Sequence, residues 1–183
     1  MSTQKERMLA GRLYKAGDPE LQADLERAEN LTVAFNATPV NTESRMKALG
    51  ELLGSVGEGA YLRPPLAVDY GYRISLGAHT FVGTGAVMLD VAPITIGEHT
   101  QIGPSVQLLT PTHPLDPAQR KEGWESAEPI TIGDNVWLGG GVIVCPGVSI
   151  GDNTVVGAGS VVTKDLPQGV VAVGNPARVV KSL

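Results

Sequence analysis

The sequence predicts a mainly β fold: a parallel β-helix of six-residue repeats, with a helical cap at its N-terminal end and one long extended loop. Three observations carry that expectation. Ile132, Leu138, Val144, Ile150, Val156 and Val162 stand at an unbroken spacing of six, and the beat also runs through Leu76, Val82, Met88 and through Ile96, Ile102, Leu108. Glycine usually follows the beat residue, and a small or β-branched residue such as Thr80, Ala86, Thr100, Val136, Thr154 or Ser160 stands four places after it. Aromatics are only 4% of the chain against 23 glycines, as a narrow coil filled with aliphatic side chains requires. A period of six is neither that of a helix nor that of a plain strand; it is a short strand plus a corner, repeated.

Residues 1–57 read differently, as a helical region. Asp18-Pro19-Glu20 supplies an N-cap carboxylate, a proline at the first helical position and an acid at the positive end of the dipole. Leu21, Leu25, Ala28, Leu31 and Phe35 then recur at helical intervals, predicting a helix to about Asn36. A second helix is expected after Thr42, with Met46, Leu49, Leu52 and Leu53 on one side and Gly54 as its stop. Such a cap covers the open end of a coil, whose bare strand edge otherwise invites aggregation.

Residues 58–183 form the repeat domain, with the hexads beginning near Ile74. Each coil of about 18 residues should be three short strands around a triangle, stacked at about 4.8 Å. Asn135 and Asn153 fall at a corner, where asparagine tolerates a left-handed backbone, and His79 and His99 occupy the same slot. The two histidines are separated by a coil with a two-residue excess around Pro93. Between the second and third repeat groups the beat fails over residues 111–129, PTHPLDPAQRKEGWESAEP, a polar stretch that reads as a loop leaving one corner. The beat ends at Pro167, and Gly174-Asn175-Pro176-Ala177-Arg178 leads into a short C-terminal strand.

The bulk properties exclude several trades. At 183 residues there is room for one domain and a small appendage, and a net charge of −5 disfavours a nucleic-acid or anionic-membrane surface. A lone Cys145 excludes an intramolecular disulfide, and MSTQKERMLAG has no apolar core of a secretory leader. The charge-free run Val136 to Gly151 is broken by glycines and keeps the beat, so it is not read as a membrane span. A soluble cytoplasmic protein is expected, with no nucleic-acid or membrane partner.

Few residues carry chemistry. His113 lies outside the hexad register at the mouth of the loop and reads either as a general base or as an idle loop histidine. His79 and His99 read as corner residues rather than as metal ligands joined by His113. Cys145 follows Val144 where glycine usually stands, as a small core side chain. Lys164, Arg178 and Lys181 read as a phosphate grip or as a solvated charged tail. Trp137 and Trp124 suit a subunit contact or a cofactor groove.

The hexads, THPLDP, ITIGDNVWLGGGVIVCPGVSIGDN, GAGSVVTKDLP and GNPARVV resemble the maltose and galactoside O-acetyltransferases of the hexapeptide-repeat superfamily, and KERMLAGRLYKAGDPEL resembles that group's helical leader. The resemblance implies a left-handed parallel β-helix, a homotrimer with active sites at subunit interfaces, and acetyl-CoA-dependent acetylation of a sugar hydroxyl without a metal. It places the catalytic base on His113, acting by direct attack with no acyl-enzyme. Cofactor contacts fall on Gly140, Ala158, Thr163, Lys164, Arg178 and Lys181, and acceptor contacts on Asp18, Asp69 and Asp90. The chain departs from the family's pattern at Gly83, where an asparagine amide is usual; either a backbone N–H of Gly83 or Thr84 replaces it, or the acceptor is held differently. Competing readings are a trimeric β-helix metalloenzyme of the carbonic-anhydrase type, an acetyltransferase for a non-sugar hydroxyl, and a non-enzymatic scaffold or ice-binding coil. The last requires an exposed threonine ladder and no interrupting loop, the opposite of this sequence.

Overall fold

A computed structural model describes residues 2–39 and 43–183. The beat residues behave as a prism filling. Leu76 pairs in register with Ile96, Ile96 with Ile132 and Ile132 with Ile150. Val82, Ile102, Leu138 and Val156 form a second column, and Met88, Leu108, Val144 and Val162 a third. All twelve are buried, at 3% exposure or less. Full burial of an aliphatic side chain contributes roughly 1.5–3 kcal/mol, so three stacked apolar columns are the main stabilising feature.

Three parallel sheets make the faces. Face A holds strands 66–68, 86–89, 107–109, 143–144 and 161–162. Face B holds 55–56, 74–76, 94–96, 130–132 and 149–150. Face C holds 61–62, 81–82, 101–102, 137–138, 155–156 and 170–173, closed by the antiparallel strand 178–182. The first coil begins at Ser55, one turn before the expected start near Ile74, with Val56, Leu62 and Val68 in register under Leu76, Val82 and Met88. The early coils are longer than the expected 18: Val82 pairs with Ile102 and Leu76 with Ile96. The extra residues are accommodated where face A turns into face B.

Each corner has its own chemistry. Between faces B and C, His79, His99, Asn135 and Asn153 all have φ between 53° and 59°, in the slot expected for asparagine. The His79 and His99 rings stack with centroids 4.9 Å apart, and Asn135 Nδ2 donates to Asn153 Oδ1 at 2.8 Å. The threonines four places after the beat are buried and satisfied by the next coil: Thr80 and Thr100 donate to the carbonyls of Gly97 and Gly133. Between faces C and A the coils touch backbone to backbone. A Cβ on Gly103 would stand 2.6 Å from the Gly140 nitrogen, so glycine there is a packing requirement.

The cap is as expected in outline. Helix α1 spans Gln4–Leu9, α2 Pro19–Asn36 and α3 Glu43–Leu52; Thr42, behind which the α3 start was expected, lies outside the described residues. Asp18 caps α2 by accepting from the Glu20 N–H at 3.0 Å. Asn36 terminates α2 and the coil together, exchanging two hydrogen bonds with the backbone of Leu66 on the first strand of face A. Phe35, Leu49, Leu52 and Leu53 join the coil's core. Met46 does not, being 40% exposed; Arg45 is buried instead and donates to the carbonyl of Thr38 at 2.8 Å. Arg45, Leu49 and Leu52 fall on one helical stripe, and Met46 stands 100° off it.

The stretch 111–129 is not a plain loop. Strands 111–112 and 124–127 pair antiparallel, and helix α4, Pro117–Lys121, forms the tip. Asp116-Pro117 starts α4 as Asp18-Pro19 starts α2, with Asp116 accepting from the N–H of Ala118 at 2.7 Å and of Gln119 at 3.0 Å. A third strand, 14–15 of the leader, adds to the outer edge of this arm.

Candidate active site

The edge between faces A and B collects the residues with chemical potential. Asp69 follows strand 66–68, Asp90 follows 86–89, His113 follows 111–112 at the base of the arm, and Thr163 and Lys164 follow 161–162. Successive coils therefore stack these residues along one vertical edge.

Asp90 is fully buried, and its carboxylate binds backbone. Its Oδ1 accepts from the N–H groups of Asp69, Tyr70 and Gly71 at 3.2, 2.8 and 3.0 Å, and its Oδ2 from Arg73 at 3.1 Å. Burial raises its pKa above the ordinary carboxylate value, and the amides of Gly71, Tyr70 and Arg73 oppose the rise. Asp90 therefore shapes the 69–73 turn, and an acceptor contact would be made in addition to these four backbone bonds. Asp69, half-buried on that turn, is pushed up to about 6, first by burial and then by the charges of Asp90 and Glu125. A groove of about 840 Å³ opens beside it between α2 and strand 66–68.

His113 is exposed, and no described residue hydrogen-bonds its ring. Its strand is locked to the return strand by the Thr112–Ser126 hydroxyl pair at 2.7 Å. Thr112 registers with Ser126 as the last pair of this ribbon, and His113 and Glu125 are the residues next to that pair on the two strands' outward side. Glu125 was absent from the residues singled out in the sequence. Trp124-Glu125-Ser126-Ala127 has no apolar–polar alternation to signal a strand, and its partners are set by folding: Tyr14 pairs with Glu125, and the Tyr14 hydroxyl donates to Glu125 Oε2 at 3.0 Å.

Other expected residues lie elsewhere. Gly83, Gly140 and Ala158 occupy the edge between faces C and A, a whole face away from His113 within the chain. The Gly83 N–H donates to the Ile102 carbonyl at 2.8 Å, so of the alternatives for the missing amide the Thr84 N–H or a different hold on the acceptor remains. Asp18 lies with Gly17, Lys15, Glu122 and Gly123 around a cavity of about 440 Å³ at the arm's tip, and its carboxylate caps α2. Arg178 and Lys181 are exposed on the closing strand of face C. The segment before them crosses to face A, where the Ala177 N–H donates to the Val161 carbonyl at 2.8 Å, bringing the neighbourhood of Arg178 toward Thr163 and Lys164.

His79 and His99 remain in the corner ladder. Cys145 is half-buried and packs on the core. Trp137 is 57% exposed on face C, whereas Trp124 is covered by Lys15 and Arg7, 4.8 and 5.7 Å from its ring. Among the described residues no group of three or more His, Cys, Asp or Glu has a metal-holding arrangement, and no helix is long and apolar enough to cross a membrane.

Comparison with known proteins agrees with this layout. Residues 7–57 match the model of the maltose acetyltransferase hexapeptide capping motif, and residues 129–164 match six repeats of the bacterial transferase hexapeptide. Nodulation protein L of Rhizobium meliloti (strain 1021) is 53% identical over 97% of this chain and 97% of its own length. The crystal structure of a maltose O-acetyltransferase from Clostridium difficile 630 superposes with a TM-score of 0.96 at 46% identity, covering 100% of this chain and 98% of that one. A galactoside acetyltransferase in complex with coenzyme A superposes with a TM-score of 0.94 at 39% identity, covering 100% and 92%.

Proposed function

Because the chain belongs to the maltose and galactoside O-acetyltransferase family of hexapeptide-repeat acyltransferases, we propose that it moves the acetyl group of acetyl-CoA to a sugar hydroxyl, with His113 as general base. The observation that carries this reading is the placement of His113: exposed, with no hydrogen bond to its ring from any described residue, at the base of a three-stranded arm rooted in a rigid coil. A base must be free to accept a proton and fixed enough to meet it. The imidazole takes the acceptor's hydroxyl proton as its oxygen attacks the thioester carbonyl. The tetrahedral adduct then collapses, the carbon–sulfur bond breaks, and the proton passes from the imidazolium to the departing thiolate. Asp69 orients the acceptor by accepting from a neighbouring hydroxyl.

The division of residues between two edges supports a homotrimer. Gly140 and Ala158 offer small residues for a pantetheine arm, but the width of face A, whose strands are two to four residues long, separates their edge from His113. A second copy docking its C–A edge against the A–B edge of the first completes one site, and a closed ring of three uses the A–B and the C–A edge of each copy once. Thr163, Lys164, Arg178 and Lys181 then grip the cofactor end, the cations meeting its phosphates. A cytoplasmic setting follows from the intracellular donor and fits the lone, half-buried Cys145.

The test is an acceptor screen with acetyl-CoA, following free thiol release and confirming the ester by mass spectrometry. Mono- and disaccharides are expected to stimulate release and gain an acetyl group. Release stimulated only by non-sugar alcohols would move the reading to that acceptor class, and no ester from any hydroxyl compound would overturn it.

A further inference from the structure

We infer that Tyr14, in the N-terminal leader, is a positioning residue for the transfer reaction: its buried hydroxyl fixes the Glu125 carboxylate on the arm strand that pairs with the one leading to His113, for use by that imidazole. The inference rests on the proposed role of His113 and extends it to a segment more than a hundred residues away, the Tyr14–Glu125 separation being 111.

The arm alone is a weak platform. Its base strand, 111–112, is two residues long, and an isolated two-stranded hairpin is marginal in water. The leader supplies a third strand, 14–15, and is itself braced. Thr3 and Glu6 form a capping box at α1, the Lys15 N–H donates to Gln4 Oε1 at 2.9 Å, and Arg7 Nε donates to the Leu13 carbonyl at 2.6 Å. Lys15 and Arg7 then cover the Trp124 ring, which stands next to Glu125. Tyr14 is 1% exposed, packed with Met8, Leu21, Tyr70 and Val91 in a cluster separate from the coil's core.

Burial, reinforced by the Glu125 charge, raises the Tyr14 pKa well beyond its ordinary value, so the phenol stays protonated and remains a donor. It engages Glu125 Oε2, and no other described group hydrogen-bonds that carboxylate. One oxygen is thus anchored, and the other is left for the imidazole or the acceptor. A carboxylate held against an imidazole selects its tautomer and stabilises the imidazolium formed as the acceptor proton arrives. Tyr14 touches neither substrate nor base; it acts through Glu125.

The test is a double-mutant cycle on the full-length enzyme with Tyr14→Phe and Glu125→Gln, measured by thiol release from acetyl-CoA with and without a sugar acceptor. Tyr14→Phe, which removes only the hydroxyl, is expected to lower kcat by about tenfold with the KM for acetyl-CoA unchanged. In the Glu125→Gln background the same change is expected to cost less than about twofold, because the group it acts through has been altered. Hydrogen exchange of the arm amides, residues 111–127, should match the parent in Tyr14→Phe. Additive effects, an unchanged kcat, or a loss accompanied by faster arm exchange and a raised acetyl-CoA KM would each overturn the inference. Trp124→Leu loosens the arm while sparing the Tyr14–Glu125 bond; if it reproduced the Tyr14→Phe kinetics, the hydroxyl would have only a structural role. Thiol release to water alone keeps the cycle measurable if the acceptor class is wrong, so the two readings fail separately.

Discussion

The carboxylate of Asp90 lies 2.8 Å from the backbone N–H of Tyr70 and binds three further amides of the same turn, so one buried side chain defines the shape of the 69–73 segment. Asp90→Ala would leave the buried N–H groups of Tyr70 and Gly71 without an acceptor. The expected cost is about 3 kcal/mol of folding stability, read as a fall in the urea midpoint. Asp90→Asn, which keeps one acceptor oxygen, is expected to lose less.

Asp69 makes stability depend on pH. Its folded pKa of about 6 exceeds the ordinary 3.8, so the folded state binds its proton more tightly than the unfolded state does. Stability contributed by this group therefore declines as pH rises from about 4 to about 6, and the penalty is complete above that window. Asp69→Asn is expected to melt higher than the parent above pH 6, with the gap closing toward pH 4, in melting curves across that range. If Asp69 also orients the acceptor, the same variant raises the sugar KM and leaves that of acetyl-CoA unchanged.

His113→Ala is expected to lower kcat by roughly 10²–10⁴ with little change in acetyl-CoA affinity. The side chain is exposed and makes no hydrogen bond to a described residue, so thermal stability should hardly move. Near-parental turnover by the folded variant would remove His113 from the mechanism.

Reversing the charge at Arg178 is expected to raise the KM for acetyl-CoA while that for the sugar stays close to the parent's. Arg178 is exposed beyond the chain crossing at Val161, and among the described residues its guanidinium donates only to the adjacent Ala177 carbonyl, so its charge is available to a phosphate. Steady-state kinetics in each substrate checks this, and a shift in the sugar constant alone would exchange the two ends of the groove.

Gly83→Asn puts the family's usual amide into this chain. A Cβ at Gly83 would stand 2.7 Å from the Pro104 nitrogen and 2.8 Å from the Gly103 carbonyl carbon, both backbone atoms of the next coil. Overpacking of this kind costs about 1–3 kcal/mol, so a lower melting temperature and slower transfer to every acceptor are expected. Faster transfer to simple glucosides, in a protein of parental stability, would show that the coil yields and the amide was missing.

The hexad beat made the coil legible because burying one face of a repeating strand demands the same residue type at the same interval, and all twelve beat residues point inward. Asp18-Pro19 likewise announced α2 through purely local hydrogen bonding. Local signals failed where a contact competed with a pattern. Met46 looked like a core residue, but the α3 stripe runs through Arg45, whose guanidinium finds the Thr38 carbonyl.

By itself, then, the sequence determined the three-faced coil, its cap, the corner role of His79 and His99, and the isolation of His113 from the repeat, because each depends on periodicity or on neighbours a few residues apart. Tertiary structure alone decided that Tyr14 meets Glu125, that Asp90 binds backbone amides, and that Gly83 and Gly140 stand on a different edge from His113. Those relationships join residues by spatial register, and register between distant strands is set by the packing of the whole prism.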